Sequence, residues 1–216
     1  MDRLYAIKKM KTKKLLNSYH HGDLENSLVE AAVGLIKEKK APLFSIREVA
    51  ILIGVSHAAA YRHFKSKTAL LARIAEIGFS KLNERFQPFQ SSSAVETELH
   101  GLFKAYVAFA VEETGYFRTM FHSSLGDHKK HPSLLETSRR CYQSLSECVA
   151  RIKKSSIGSQ YEPDELTMAI WSSVHGLSIL LIDHQFKEPG MREDETLPTR
   201  YADSLCKILS HGLYRS

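Results

Sequence analysis

The sequence predicts an all-α protein, with an N-terminal three-helix head of helix-turn-helix type followed by a C-terminal helical bundle, about nine helices in all. Three observations predict it. Apolar residues recur at helical spacing through most of the 216 residues. No strand-like alternation survives more than a few residues. The stretch Phe44 to Leu70 reads as two short helices joined at a glycine, then a cap and a new helix.

The first helix is expected from about Asp23 to Lys39, with Asp23 as its cap and Leu24, Leu28, Ala31, Leu35 and Ile36 as its buried stripe. Gly34 inside it weakens the helix, so a close helix crossing is expected there. Lys39, Lys40, Ala41 and Pro42 end it. Ser45 and Glu48 then form a capping box, in which the serine oxygen takes an amide of the first turn and the glutamate reaches back. Ile46, Val49, Ala50 and Ile53 make the buried stripe of the second helix. Gly54 supplies a left-handed turn, Val55 plugs it, and Ser56 caps the third helix, His57 to His63. Three alanines keep that helix slim enough for a major groove about 12 Å wide. Tyr61 and Phe64 are expected to look at least partly toward the core.

Ser66 caps a fourth helix over 67–86, which joins head to body through Leu70, Leu71, Ile74, Ile77 and Phe79. The break from Gln87 to Ser93 is the best linker in the chain. Beyond it, helical segments are expected near 94–114, 115–125, 131–155, 163–187 and 197–213, separated by glycine and proline signals. The organisation is therefore a basic flexible arm (1–19), a DNA-binding head with its linking fourth helix (20–86) and a C-terminal body (94–216).

Charge places the partner. Residues 1–67 carry 13 Lys or Arg against 6 acids, whereas residues 68–216 carry 17 against 18. All the excess positive charge thus lies in the segment shaped to enter a groove, where it would neutralise phosphates of double-stranded DNA. Lys8, Lys9, Lys11, Lys13 and Lys14 form an arm that could track the backbone, or equally a solubilising tail. Nothing near the N-terminus has the apolar core of a signal peptide. The longest stretch without charged residues, Leu166 to Ile182, falls short of the roughly 20 apolar residues of a membrane span. Cys141, Cys148 and Cys206 have no paired spacing, so a reducing cytoplasm is the expected compartment.

The head resembles the DNA-binding domain of the TetR family of bacterial transcription regulators. The pattern is carried by Phe44, Ser45, Ile46, Arg47, Val49, Ala50, Gly54, Val55, Ser56, Tyr61, His63, Phe64 and Lys67. Ala60 departs from it, because the family often has a larger apolar residue or proline there. The resemblance implies that Tyr61, His63 and Lys67 hold the DNA backbone. At the start of the second helix, amides and a guanidinium suit phosphate, which assigns Ser45 and Arg47, and Arg47 could also reach a base. Ser56, His57 and Ala58 open the recognition helix and Arg62 lies one turn on, placing them for base edges or phosphate.

The body resembles the family more weakly. Trp171, His175 and Gly176 look like the signature of its Trp-His-Gly (WHG-type) C-terminal subgroup, as do Tyr19 to Leu24 and Tyr116 to Phe121. The family implies a regulatory and dimerisation domain that senses a small molecule. Trp171 and His175 share a helix face, and Gly176 would let a helix or ligand come close. With Phe103, Tyr106, Phe117, Met120 and Phe121 they form the expected ligand pocket, although aromatics at this spacing are more often core. Val174, Leu177 and Leu181 on one helix, with Leu205, Ile208 and Leu209 on the last, are stripes with little else to cover them and are expected to make a homodimer.

The function expected is a sequence-specific transcriptional regulator, a homodimeric repressor on a palindromic operator, released by a small apolar or amphipathic effector. A non-specific or structural DNA binder without a ligand switch is the alternative. No enzyme is expected: Asp183 and His184 invite a triad reading, but no nucleophile elbow or phosphate loop accompanies them. No cofactor or metal is expected either, since His128 and His131 lack supporting ligands.

Overall fold

The computed structural model describes residues 24–90, 92, 94–155, 161–185 and 194–214, with backbone alone at 153–155 and 211–214. The lysine arm, the approach to the first helix from Tyr19 to Asp23 and the loop around Gly158 lie outside the described residues. The described residues form nine α-helices and three short 3-10 turns, with no strand among them. The head holds α1 (Leu24–Lys39), α2 (Ile46–Leu52), α3 (His57–His63) and the start of α4 (Lys67–Phe86). The body holds α5 (Val95–Glu112), α6 (Thr114–Met120), α7 (Pro132–Ser155), α8 (Pro163–Ile182) and α9 (Leu197–Tyr214).

Three helices of the head begin on serine. The hydroxyls of Ser45, Ser56 and Ser66 each accept the amide three residues on at 3.1 Å. The glutamate half of the expected capping box is diverted, because Glu48 Oε1 lies 2.6 Å from Lys39 Nζ. That hydrogen bond is the main cause holding the Glu48 carboxyl below its usual range, and the Ser45 backbone contributes least. At the far end of α2, Gly54 takes φ 73°. Its amide donates to Ile51 O at 3.2 Å, and the Val55 amide donates to Ala50 O at 3.0 Å. These two bonds make a Schellman motif, which closes the helix and turns the chain into α3. Ile53 is the C-cap and, though partly exposed, still packs against the core as the end of the stripe.

The close crossing expected at Gly34 is present one residue away, but the glycine that permits it sits on another helix. A Cβ on Gly34 would meet nothing within 4 Å, whereas one on Gly115 of α6 would come within 2.7 Å of the Val33 carbonyl oxygen. Helix α6 therefore lies directly against α1. Tyr116 reinforces the contact by donating to Glu30 Oε1 at 2.5 Å.

Helix α4 belongs to both halves of the molecule. Arg73 ties it to Glu25 of α1 at 2.9 Å, Lys81 to Glu113 at 2.9 Å, and Arg85 to Glu112 at 2.7 Å. Asn83 Nδ2 donates to Thr137 O of α7 at 3.0 Å. The start of the break after α4, residues 87–90, is packed against the body. Gln87–Phe89 is a 3-10 turn, and a Cβ on Gly101 would lie 2.2 Å from the Phe89 ring, so Phe89 packs onto bare backbone of α5. Gln90 Nε2 then donates to Ser144 Oγ at 2.7 Å.

Helix α8 starts three residues earlier than its charge-free stretch, behind a Glu162/Glu165 capping box. At 20 residues it is long and apolar enough, by length and composition, to cross a membrane. Here it packs against α5, α7 and α9 and buries Leu166, Ile170, Val174 and Ile182. Arg118 closes its C-terminal end, bonding Asp183 and the Ile182 carbonyl. The 115–125 segment is two pieces, α6 and a 3-10 turn at Ser123–Leu125.

Candidate DNA-reading surface and effector cavity

The recognition helix is held from beneath by its smallest side chain. Ala60 is fully buried, so the departure from the expected larger residue lets α3 seat closely. Phe64, at its C-cap, is also buried, but Tyr61 is 45 % exposed and turns outward. Ser45, Arg47, Ser56, Ala58, Tyr61, Arg62 and His63 are all exposed, and His57 and Lys67 partly so. Arg47 and His63 make no hydrogen bond or ion pair with any described residue, and Arg62 only leans on its own helix, Nε to Ala58 O at 3.4 Å. The Lys67 ammonium stands 5.0 Å over the Phe44 ring, which fixes its position without neutralising it. The nine residues singled out from the sequence thus lie on α2, α3, their caps and the start of α4, and all are at least partly exposed.

In the body, a cavity of about 340 Å³ opens among α4, α5, α7 and α8. Four of the seven residues expected to line it do so: Phe103, Tyr106, Phe121 and Trp171. The other three stand behind the wall. Phe117 is fully buried between Tyr106, Phe109 and Phe121. Met120 fills the space left by Gly78 of α4, where a Cβ would come within 2.8 Å of its sulfur. His175 stacks on Phe117, with ring centroids 5.4 Å apart. Gly176 has nothing within 4 Å of a Cβ, so it is not a close-approach site among the described residues.

A polar chain runs through this wall. Trp171 Nε1–H donates to Tyr106 Oη at 3.2 Å, and Tyr106 Oη lies 2.8 Å from His175 Nδ1. Indole can only donate, so the phenol oxygen accepts from it, and the same oxygen is hydrogen-bonded to the imidazole. Burial lowers the pKa of His175, and burial raises that of Tyr106 well above its usual range, so both are neutral and the chain is internally satisfied.

The sequence did not point to most of the wall. Phe79, Leu82 and Phe86 of α4, Leu102 of α5, His128, Leu135, Ser138, Arg139, Cys141, Tyr142 and Leu145 of the α7 region, and Val174 of α8 complete it. The signal was available in α7, where 135, 138, 142 and 145 fall on one helical face. Cys141 donates its thiol to Phe79 O at 3.5 Å, and burial pushes its pKa up to about 12, so it is an inert wall residue.

Of the six residues expected at a dimer interface, Val174 is turned inward and lines the cavity. Leu177, Leu181, Leu205 and Leu209 are half-buried, and Ile208 is 69 % exposed. Met168 and Leu180 add exposed apolar surface on α8. Elsewhere, Asp183 is engaged by Arg118 and His184 occupies a left-handed turn at φ 57°. No three His, Cys, Asp or Glu residues cluster as a metal site among the described residues.

Two family models match the chain. Residues 28–74 match the bacterial regulatory proteins of the tetR family, and residues 99–203 match the tetracyclin repressor-like C-terminal domain. No curated protein matches the sequence. Solved structures share its fold. PfmR, a TetR family transcriptional regulator from Thermus thermophilus, is 20 % identical with a TM-score of 0.65, over 87 % of this chain and 99 % of its own. The ketosteroid transcriptional regulator KstR2 of Mycobacterium tuberculosis is 15 % identical with a TM-score of 0.66, over 89 % and 95 %. FadR of Bacillus subtilis, solved in complex with stearoyl-CoA, is 14 % identical with a TM-score of 0.67, over 86 % and 97 %. With a helix-turn-helix head and a C-terminal body that both match, the chain belongs to the TetR family of DNA-binding transcriptional regulators.

Proposed function

We propose that this regulator works in the cytoplasm as a homodimeric repressor that holds a palindromic operator and releases it when an apolar or amphipathic small molecule fills the cavity. The observation that carries the reading is the position of α4. Its first half is tied to the head through Arg73, and Phe79, Leu82 and Phe86 of its second half are wall residues of the cavity. A ligand that moves this wall moves the element on which the head is seated. Its effect on DNA affinity is limited by its differential affinity for the two shapes of the dimer.

On the DNA side, Ser45 and Arg47 would meet phosphate at the start of α2, and Tyr61, His63 and Lys67 would hold the backbone. Ser56, His57, Ala58 and Arg62 would present the recognition helix to base edges. The apolar surface of α8 and α9, with Leu180 and Ile208 exposed, supports a two-fold helical interface. A two-fold dimer places its recognition helices in successive major-groove faces. Regulators of this family act by binding rather than by chemistry, and nothing in this reading requires a reaction.

Selection of bound duplexes from random DNA at near-physiological salt tests it. The reading expects an inverted repeat. Arg47→Ala should weaken binding to all sequences alike and lower the salt slope by about one, whereas Arg62→Ala should relax the preference at one position of each half-site. Enrichment without a shared sequence would instead favour a non-specific DNA binder.

A further inference from the structure

The effector's chemistry can be narrowed, given the reading of the cavity as its site. The depth of the cavity is hydrocarbon, walled by Phe79, Leu82, Leu102 and Phe103. The polar atoms that reach it are already occupied within the protein. Trp171 Nε1–H is given to Tyr106, and Tyr106 Oη and His175 Nδ1 are bonded to each other. The Cys141 thiol is given to Phe79 O, and the Ser138 hydroxyl to Leu135 O at 3.1 Å. A ligand that enters therefore finds these polar groups already bonded within the protein, and polar groups carried inward would lose water with little replacement.

Free donors in the lining are concentrated in the α7 region. Arg139 is exposed and has no carboxylate partner among the described residues, although the adjacent Arg140 is paired with Glu136. His128 lies in the His128–Lys130 turn, which packs against α7. The lining contains no Asp or Glu. An apolar chamber with a guanidinium and an imidazole, and with no acid, is built for a negative head on an apolar body. It disfavours a cation, which would meet Arg139 without any compensating carboxylate.

We propose that the effector is an amphipathic organic anion, with its apolar body in the cavity among Phe79, Phe103 and Trp171 and its carboxylate or phosphate head on Arg139, assisted by His128. The chain holds a single tryptophan, and it lines the cavity, so its emission reports occupancy directly.

The test is titration of the full-length protein with decanoate, decyl phosphate, decanol and decylammonium below their micelle-forming concentrations, reading Trp171 fluorescence. At least one of the two anions is expected to bind about tenfold tighter than decanol, and which one does so distinguishes a carboxylate from a phosphate head. Arg139→Gln should abolish that advantage while leaving decanol binding and the melting temperature unchanged. Arg139→Lys should restore part of it, and Arg140→Gln should have no effect. Equal binding of decanol and both anions, or tightest binding of decylammonium, would overturn the anionic head and leave the cavity as an apolar ligand site. No change in Trp171 emission with any of the four would overturn the cavity reading itself, and the inference with it.

Discussion

At the scale of single residues, His175 shows how a side chain that reads as a binding group becomes part of the scaffold. Its Nδ1 is hydrogen-bonded to Tyr106 and its ring stacks on Phe117, so it joins α8 to α5 and α6. Burial depresses its pKa below the ordinary 6.5, and the unfolded chain therefore binds this proton more readily than the folded one. The stabilisation is complete above that value and declines as pH falls below it toward the folded pKa. The melting temperature of the wild type should thus drop as pH falls below about 6.5, and His175→Gln, whose amide can still bond Tyr106 but does not titrate, should show a shallower drop. Equal slopes for the two proteins would remove His175 from this role.

At the scale of elements, the glycines of this chain separate two kinds of information. Gly54 was legible because its role is local: a left-handed residue directly after an apolar stripe and before a serine cap closes α2 whatever surrounds it. The three serine caps were legible for the same reason, as was the single face of α8 that brings Trp171 near His175. Gly115 was not, because its partner, the Val33 carbonyl, is far away in sequence and no periodicity links the two. Glu48 turned to Lys39 rather than Ser45 by the same kind of long-range competition. The cavity was partly legible: aromatics on α5, α6 and α8 signalled it, but the α4 and α7 walls read as ordinary amphipathic helix. This contrast yields a prediction. Gly115→Ala should cost about 2 kcal/mol or more, because backbone oxygen at 2.7 Å cannot swing away. Gly34→Ala should gain roughly 0.5–1 kcal/mol, since its Cβ enters open space on an exposed helix. Denaturant unfolding of both variants checks the ordering, and a neutral Gly115→Ala would refute the tight seating of α6 on α1.

At the scale of the whole molecule, α6 and α4 together make head and body one packed object. Helix α6 seats on α1 through Gly115 and Tyr116 and stands behind the cavity through Phe117. Helix α4 carries the head at one end and cavity wall at the other. What lies outside this packing is the apolar surface of α8 and α9. Ile208→Asp is expected to leave a helical but monomeric protein in sedimentation, with operator affinity reduced at least about a hundredfold through loss of bivalent binding. A dimer that survives the substitution would move the interface elsewhere.

The central claim, that the cavity and the DNA-reading surface are coupled, is tested most directly by filling the cavity from within and measuring operator binding. Leu145 lines the cavity from α7, a helix that carries none of the DNA-facing residues, and Leu145→Trp would occupy part of its roughly 340 Å³. Fluorescence anisotropy on the selected operator is expected to show affinity about tenfold weaker than wild type, within the usual range of coupling free energies, with no loss of thermal stability. A stable Leu145→Trp protein that binds the operator as tightly as the wild type would contradict the account.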